Sequence, residues 1–299
     1  LLGTIHATPI EVLSAKATAP QLLEASRHGR SLMRGLRSSG AGRQGPGFLA
    51  PRGGMGRFVD ELQKQLVEAG VGFEHSPGEG VGTAGGVAGE AASEVVGQGV
   101  GGGGQEWDGV IMATPAAVSA RLLGGAAPDG LGSIRAASVV VVTLVCPGLE
   151  IPPGVAGILI PPAEGWLATA ISFYSAKWPH LAEPGVATLR VSAGWWGDDR
   201  PMELDDGELI DALVAETSRA LGKGVSPSAQ RVSRWVRSFP VYEVGHLGRV
   251  EHLERQLAAS APRVVLCGAS YRGVGIPACV GGGRAAARSL MERLHAWAT

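Results

Sequence analysis

Cysteine is scarce in this chain of 299 residues, and the scarcity excludes two kinds of structure. Cys146, Cys267 and Cys279 are an odd number without CxxC spacing, which argues against a disulfide framework or a zinc site. Such cysteine usage is typical of a reducing compartment, so we expect a cytoplasmic protein. The sequence also lacks GxSxG, HExxH and P-loop patterns, which disfavours the nucleophilic, zinc-hydrolase and nucleotide-hydrolase mechanisms that use them.

Net charge and long apolar runs are lacking too. The net charge of −1 gives no strong field for nucleic acid or an anionic membrane. No apolar run approaches the ~20 residues that cross a bilayer, and no signal peptide is visible. The chain opens at Leu1 on an apolar Leu-Leu-Gly rather than at methionine. We therefore expect it to be part of a longer polypeptide.

Glycine, by contrast, is abundant, with 47 residues, many of them concentrated between residues 76 and 105. In that range glycine alternates with small and polar residues. Such a composition buries too little apolar surface to offset the entropy of ordering. The sequence therefore predicts a flexible surface insertion over residues 76–105.

Residues 134–258 are predicted to form an α+β domain on a mixed sheet. Apolar and β-branched runs separated by Gly and Pro indicate strands, and they lie at residues 138–145, 155–160, 166–173 and 186–193. One helix is predicted at 206–221, where Leu209, Leu213 and Leu221 share a face and Asp205 can cap the start.

The first third of the chain is predicted to be mainly helical. Residues 1–47 carry apolar residues at helical spacing, and residues 57–69 form a further helix that Gly70 ends. Residues 71–74 are compatible with a short strand. After the insertion, residues 110–112 are expected to be a buried parallel strand, followed by a helix over 116–123.

The carboxy-terminal segment has the order strand, glycine loop, helix. Val264-Val265-Leu266 leads into the run CGASYRGVGIPACVGGGRAAA at 267–287, and residues 284–297 are predicted to be helical. Glycines permit positive φ and a close approach of the backbone to a flat ligand. Free N–H groups at the helix start can face an anion or a polar ring edge. A plain packing turn is the alternative interpretation of this pattern.

Several runs, in the right order, resemble one family. The carboxy-terminal run above, the run WLATAISFYSAKWPH at 166–180, and Arg234-Trp235 followed by FPVYEVGHL at 239–247 are similar to segments of FAD-dependent protoporphyrinogen and coproporphyrinogen oxidases, within the amine-oxidase-like flavoproteins. GTIHAT at 3–8, GGMG at 53–56 and WDGVIMATP at 107–115 add weaker likeness. Val241 stands where that family more often has Gln, and a hydrogen-bonded packing role is favoured for His246.

The resemblance implies a fold, a cofactor and site residues. The fold class is α/β plus α+β: the second half of a Rossmann-like FAD domain, a mixed-sheet substrate domain and a small helical segment. The implied parts are 1–47 beside the substrate cavity, 48–133 and 262–299 in the FAD domain, and 134–258 as the substrate domain. Gly3 is implied near the tetrapyrrole substrate. The implied FAD contacts are Trp235, Gly268, Tyr271, Gly273, Val274, Gly275, Ile276 and Pro277.

The resemblance also implies a reaction in which the flavin oxidises a porphyrinogen and the protein binds and orients it. Oxygen is the expected acceptor. Coproporphyrinogen III is favoured over protoporphyrinogen IX, although the sequence does not separate them. No protein nucleophile is expected, and peripheral membrane association and oligomeric state stay open.

One element of the family is absent from this sequence. FAD enzymes of this type use an amino-terminal β-α-β unit with GxGxxG, and neither Gly101–Gly104 nor Gly273-Val274-Gly275 fits that pattern. We expect this unit to lie upstream of Leu1. Two alternatives are another amine-oxidase-like flavoprotein, such as a monoamine oxidase or carotene desaturase, and a non-catalytic chain without flavin.

Overall fold

A computed structural model describes residues 2–27, 31–38, 49–73, 100–101 and 105–298. The helices are α1 Leu2–Ile5, α2 Ala15–Thr18, α3 Pro20–Arg27, α4 Leu32–Ser38, α5 Met55–Glu68, α6 Ala116–Leu123, α7 Tyr174–Lys177, α8 Arg200–Glu203, α9 Asp206–Leu221, α10 His246–Ser260 and α11 Ile276–Ala298. The strands are β1 Val100–Gly101, β2 Gln105–Glu106, β3 Val110–Met112, β4 Ala136–Pro147, β5 Gly157–Leu159, β6 Ala168–Phe173, β7 Val186–Ala193, β8 Ala229–Pro240 and β9 Val264–Leu266.

The largest sheet has five strands in the order β5-β6-β7-β4-β8, and every pairing in it is antiparallel. The prediction of a mixed sheet over residues 134–258 is therefore wrong. Each predicted strand falls on or overlaps an observed one, and β7 matches its predicted bounds, residues 186–193. Parallel pairing does occur in the chain, but between β3 and β9, outside this sheet.

One face of the sheet is covered by α9. Val140, Val142 and Leu144 alternate along β4 and are fully buried, as strand geometry requires. They share a core with Leu209 and Leu213 of α9. This core also takes in Ile171, Phe173 and Val191, with Trp166 packed against it, so these apolar residues form the interior of this sheet.

The start of α9 matches its prediction to the residue. The Asp205 carboxylate accepts a hydrogen bond from the Glu208 amide at 2.9 Å, and the Glu208 carboxylate accepts one from the Asp205 amide at 3.2 Å. This reciprocal pair satisfies two amides that would otherwise lack partners. Gly222, with φ of 65°, ends the helix in the left-handed conformation.

The second core surrounds the parallel pair β3–β9. Val110 is in register with Val264, and Val250, Leu253 and Leu257 of α10 pack against this pair. The predicted strand 110–112 and helix 116–123 are confirmed, although Ile111 is 40% exposed rather than buried. A single long helix was predicted within 134–258, and α10 corrects this, because its buried face belongs to the core around β9.

The carboxy-terminal helix begins earlier than predicted. α11 starts at Ile276, so Gly281–Gly283 lie inside the helix rather than in the loop. Glycine is unfavourable in the interior of a helix, but the packing of α11 outweighs this cost here. Ala286 and Leu290 bury against Val265 and Cys267, beneath β9.

The amino-terminal part is helical where it is described, as predicted. α5 begins two residues before the predicted position, and Gly70, with φ of 89°, follows its end. Residues 71–73 are not in a strand. The predicted insertion lies outside the described residues except for β1 and Gln105 at its end, which belong to a short antiparallel hairpin. No helix of the described residues is long and apolar enough to span a membrane.

Candidate functional site

The loop between β9 and α11 has an unusual backbone at two glycines. Gly268 has φ of 103° and Gly273 has φ of 147°, values that residues with a side chain rarely adopt. A Cβ atom on Gly268 would lie 3.3 Å from the Ala113 carbonyl oxygen, and one on Gly273 would lie 2.5 Å from the Cβ of Ala278. The loop therefore needs glycine at both positions, for φ and for space.

Tyr242 connects the two ends of this loop. Its hydroxyl donates to the Ala269 carbonyl oxygen at 2.6 Å and accepts from the Gly273 amide at 2.6 Å. The side chain is 1% exposed, and burial raises the pKa of Tyr242 to about 12. The hydroxyl therefore keeps its proton near neutral pH and can hold both contacts.

His246 supports the middle of the same loop. Its Nε2 lies 2.8 Å from the carbonyl oxygen of Tyr271, and the carbonyl requires this nitrogen to donate. The imidazole stacks on the Tyr242 ring at a centroid distance of 4.2 Å. Burial lowers the pKa of His246, so the ring is held neutral. These contacts agree with the packing role that the sequence favoured for His246.

Two further contacts fix the loop against the first turn of α6. The Tyr271 hydroxyl donates to Ser119 Oγ at 3.3 Å, and the Ala116 amide donates to Ser270 Oγ at 3.1 Å. Ser119 in turn shares a 2.8 Å hydrogen bond with the Thr114 hydroxyl. The turn after β3 and the loop after β9 therefore form one rigid corner at the carboxyl ends of two parallel strands, the place where α/β sheets bind ligands.

A cleft of about 460 Å³ opens beside this corner. Its walls come from residues 113–117, from Ala269 and Ser270, and from the large sheet. Arg135, Trp196 and Arg237 supply its large side chains. The Arg135 guanidinium stacks on the Trp196 ring at 5.3 Å and pairs with the Glu243 carboxylate at 3.1 Å.

The predicted cofactor residues lie around this corner but do not form one pocket. Gly268 and Tyr271 line a smaller cavity of about 240 Å³ between β9, α10 and α11. Ile276 and Trp235 are each 54% exposed, the latter on β8. Gly275 and Pro277 are exposed, and Gly273 and Val274 are half-buried. The larger cleft is lined instead by their sequence neighbours, among them Ala269, Ser270 and Arg237.

Gly3, the predicted substrate residue, is buried in α1. A Cβ atom there would lie 2.9 Å from the Thr8 carbonyl oxygen and 3.5 Å from the Trp195 ring. The Trp196 amide donates to the Ala7 carbonyl oxygen at 2.7 Å, which ties this segment to the end of β7. The close approach of the Thr8 carbonyl oxygen is a sufficient reason for glycine at this position.

Sequence reasoning missed some of the residues that hold the loop and line the cleft. Tyr242 was quoted only as part of a family run, and Ser119 and Arg135 were not singled out. The role of Arg234 also became visible only in the structure, where its guanidinium pairs with Asp206 and donates to the Leu204 carbonyl oxygen at 2.7 Å. Arg234 therefore joins β8 to the start of α9.

Cys146, Cys267 and Cys279 are free thiols. Burial raises the pKa of Cys146 and of Cys267, which makes both thiols less reactive. Within the described residues, no cluster of three or more His, Cys, Asp or Glu could hold a metal ion.

The sequence profile of the flavin containing amine oxidoreductase family matches residues 1–291, and the chain belongs to this family. Its relatives include the coproporphyrinogen III oxidase of Bacillus subtilis, 30% identical over 98% of this chain and 63% of that protein. The protoporphyrinogen oxidase of Bos taurus is 31% identical over 62% of this chain and 41% of that protein. The chain thus spans about three fifths or less of the length of these relatives.

The fold has a counterpart among solved structures. A candidate protoporphyrinogen oxidase from Exiguobacterium sp. 255-15 superposes with a TM-score of 0.77, at 24% identity, over 98% of this chain and 62% of that one. At this level of identity the likeness establishes the fold alone. It supports the amine-oxidase-like fold of the chain and leaves the activity to be argued from the site.

Proposed function

We propose that this chain is part of an FAD-dependent porphyrinogen oxidase of haem biosynthesis. Coproporphyrinogen III is the favoured substrate, protoporphyrinogen IX the second candidate, and oxygen the acceptor. The observation that carries the proposal is the loop 267–275, whose two positive-φ glycines are held in place by Tyr242 and His246. The names of the relatives from Bacillus subtilis and Bos taurus supply the substrate class.

The residues present fit part of a flavin site. Gly268 and Gly273 give the loop a backbone conformation that residues with a side chain rarely adopt, and in this proposal that backbone faces the flat ring of the flavin. We assign the contacts with FAD to this loop and to Trp235, with Val274, Gly275, Ile276 and Pro277 at the start of α11. The exposed faces of Trp235 and Ile276 are open to a ligand. FAD when bound would accept a hydride from the substrate and pass the electrons to oxygen.

In this proposal the residues of the chain bind and orient the substrate and take no part in the chemical step. The hydroxyl of Tyr242 stays protonated and the imidazole of His246 stays neutral, so neither brings a charge to the loop. The cleft beside the loop offers apolar walls from residues 113–117, and Arg237 supplies a positive charge at its edge. Such a combination suits a large apolar ring that carries carboxylates.

The test begins with flavin retention. The purified chain is incubated with FAD, passed over a gel-filtration column, and examined by visible absorption. Because the sequence lacks the GxGxxG unit, a weak flavin band is expected, and conversion of coproporphyrinogen III to fluorescent coproporphyrin III under air would support the oxidase assignment. A retained flavin without turnover of either porphyrinogen would favour another amine-oxidase-like activity. A colourless protein that turns over neither substrate would overturn the proposal for this chain and favour the non-catalytic alternative.

A further inference from the structure

β8 contains a wide bulge at the edge of the cleft. Ala137 pairs with Phe239 and Val139 pairs with Trp235, so three residues of β8 face the single residue Ser138 of β4. Such bulges redirect a strand and the side chains on it. The Arg237 amide donates to the Ser138 hydroxyl at 3.1 Å, which fixes the centre of this bulge.

Arg237 occupies an uncommon backbone conformation. Its φ is 44°, and among the described residues only Ala7 shares a positive φ without being glycine. A bulky residue is disfavoured in this region, and such positions often occur where a site dictates the backbone. Glycine would adopt this conformation more readily, so the side chain of Arg237 calls for an explanation.

The guanidinium of Arg237 is the uncompensated positive charge of the cleft. Arg135, the other arginine in the lining, is already paired with Glu243, and Arg249 approaches the same carboxylate at 3.7 Å. Within the part of the chain that the structure describes, the Arg237 guanidinium has no ion pair and no hydrogen bond. An arginine beside a polar and apolar cleft binds oxyanions through its planar fork of N–H donors.

We propose that this cleft is an oxyanion subsite, with the guanidinium of Arg237 as its cation and the bulge at residues 236–238 as the device that positions it. The ligand group is a carboxylate or a phosphate. The oxyanion would come either from a propionate of the tetrapyrrole or from a phosphate of the dinucleotide. Only the naming of these two molecules rests on the proposed function.

Direct binding measurements test the subsite without turnover. The probes are coproporphyrin III, its tetramethyl ester and ADP, and the dissociation constants are measured by quenching of tryptophan fluorescence at low salt. R237Q removes the charge. R237G removes the charge and also relieves the positive φ. R231Q is the matched control, because Arg231 lies on the same strand opposite Thr143 and outside the cleft lining.

Loss of a charged hydrogen bond is expected to weaken binding about tenfold or more in R237Q and R237G, while R231Q binds like the wild type. A loss for coproporphyrin III, but not for its ester or ADP, identifies a propionate. A loss for ADP alone identifies a phosphate. Circular dichroism and thermal unfolding check that each variant is folded.

Three results would overturn the subsite: a wild type that binds neither anion, folded R237 variants that bind both like the wild type, or an equal loss in R231Q. The proposed function can fail separately. A protein whose anion binding depends on Arg237 but which turns over no porphyrinogen would keep the subsite and reject the oxidase assignment.

Discussion

The rings of Tyr242, before α10, and His246, the first residue of α10, stack at 4.2 Å with an angle of 18° between their planes. Each ring also contacts the loop after β9. Tyr242 holds its ends at Ala269 and Gly273, and His246 holds its centre at Tyr271. A single aromatic pair thus fixes the backbone of a segment from a distant part of the sequence.

Removing the hydroxyl in Tyr242→Phe should release both ends of the loop from the residue 242 side chain. The Ala269 carbonyl and the Gly273 amide both lose a partner at 2.6 Å. An unsatisfied buried polar group costs about 1–3 kcal/mol, so we expect a fall of that size in the free energy of unfolding, measured by urea denaturation, and weaker flavin retention.

Tyr174→Phe is the control for that change, because Tyr174 lies on α7, which packs on β6 and β7 rather than on the loop. It should leave flavin retention unchanged. Equal flavin retention in Tyr242→Phe and in the wild type would show that cofactor binding does not depend on the Tyr242 contacts.

The buried imidazole of His246 predicts a pH dependence of stability. Burial lowers the pKa of His246 in the folded protein below the usual value of about 6.5 for histidine. The unfolded chain therefore takes up the proton at higher pH than the folded chain does, and stability rises with pH. Unfolding free energy should fall as the pH drops below about 6.5.

His246→Gln tests this dependence, because its amide can still donate to the Tyr271 carbonyl but does not titrate. Denaturation is measured between about pH 5 and pH 8, the range in which histidine titrates. The unfolding free energy should change less steeply with pH in this variant than in the wild type. His252→Gln changes an exposed residue of the same helix and serves as control. An unchanged slope in His246→Gln would mean that His246 does not titrate in this window.

The sequence predicted elements whose signals are local. The β-branched run in β4 and the alternation along β7 reflect one buried face each, and the capping residues of α9 fixed its start. β8 was missed because its outer residues, Trp235 and Val236 among them, are exposed and break the alternation at the bulge. The mixed-sheet prediction failed because strand direction depends on connections that periodicity does not encode.

The candidate site was predictable only in its loop. Gly268 and Gly273 were predicted site residues, because glycine permits positive φ and because the run that contains them resembles the family. The cleft depends on contacts across long stretches of chain, such as that between Ala116 and Ser270, which no spacing in the sequence reveals. The same holds for Arg237, whose conformation arises from pairing between β4 and β8.

Glu216 is a structural carboxylate that mutation can test. Its two oxygens accept from the Leu167 and Ala168 amides at 2.9 and 2.8 Å, and so fix the start of β6 to α9. Glu216→Gln keeps the size but supplies one acceptor oxygen instead of two. We expect a loss of about 1–3 kcal/mol in unfolding free energy. Glu164→Gln, at an exposed site, should change it little, and equal losses would contradict the role of Glu216.

Gly268→Ala tests whether the loop needs glycine for its backbone or for a ligand. Alanine at positive φ costs about 1–3 kcal/mol, and Gly165→Ala, at φ of 70° with no atom within 4 Å, measures that cost alone. At Gly268 the new methyl also meets the Ala113 carbonyl oxygen at 3.3 Å. Both variants should lose stability in thermal unfolding, but only Gly268→Ala should lose flavin after gel filtration. Equal flavin retention would show that a methyl group at residue 268 does not obstruct the cofactor, and the assignment of this glycine to the flavin would then be withdrawn.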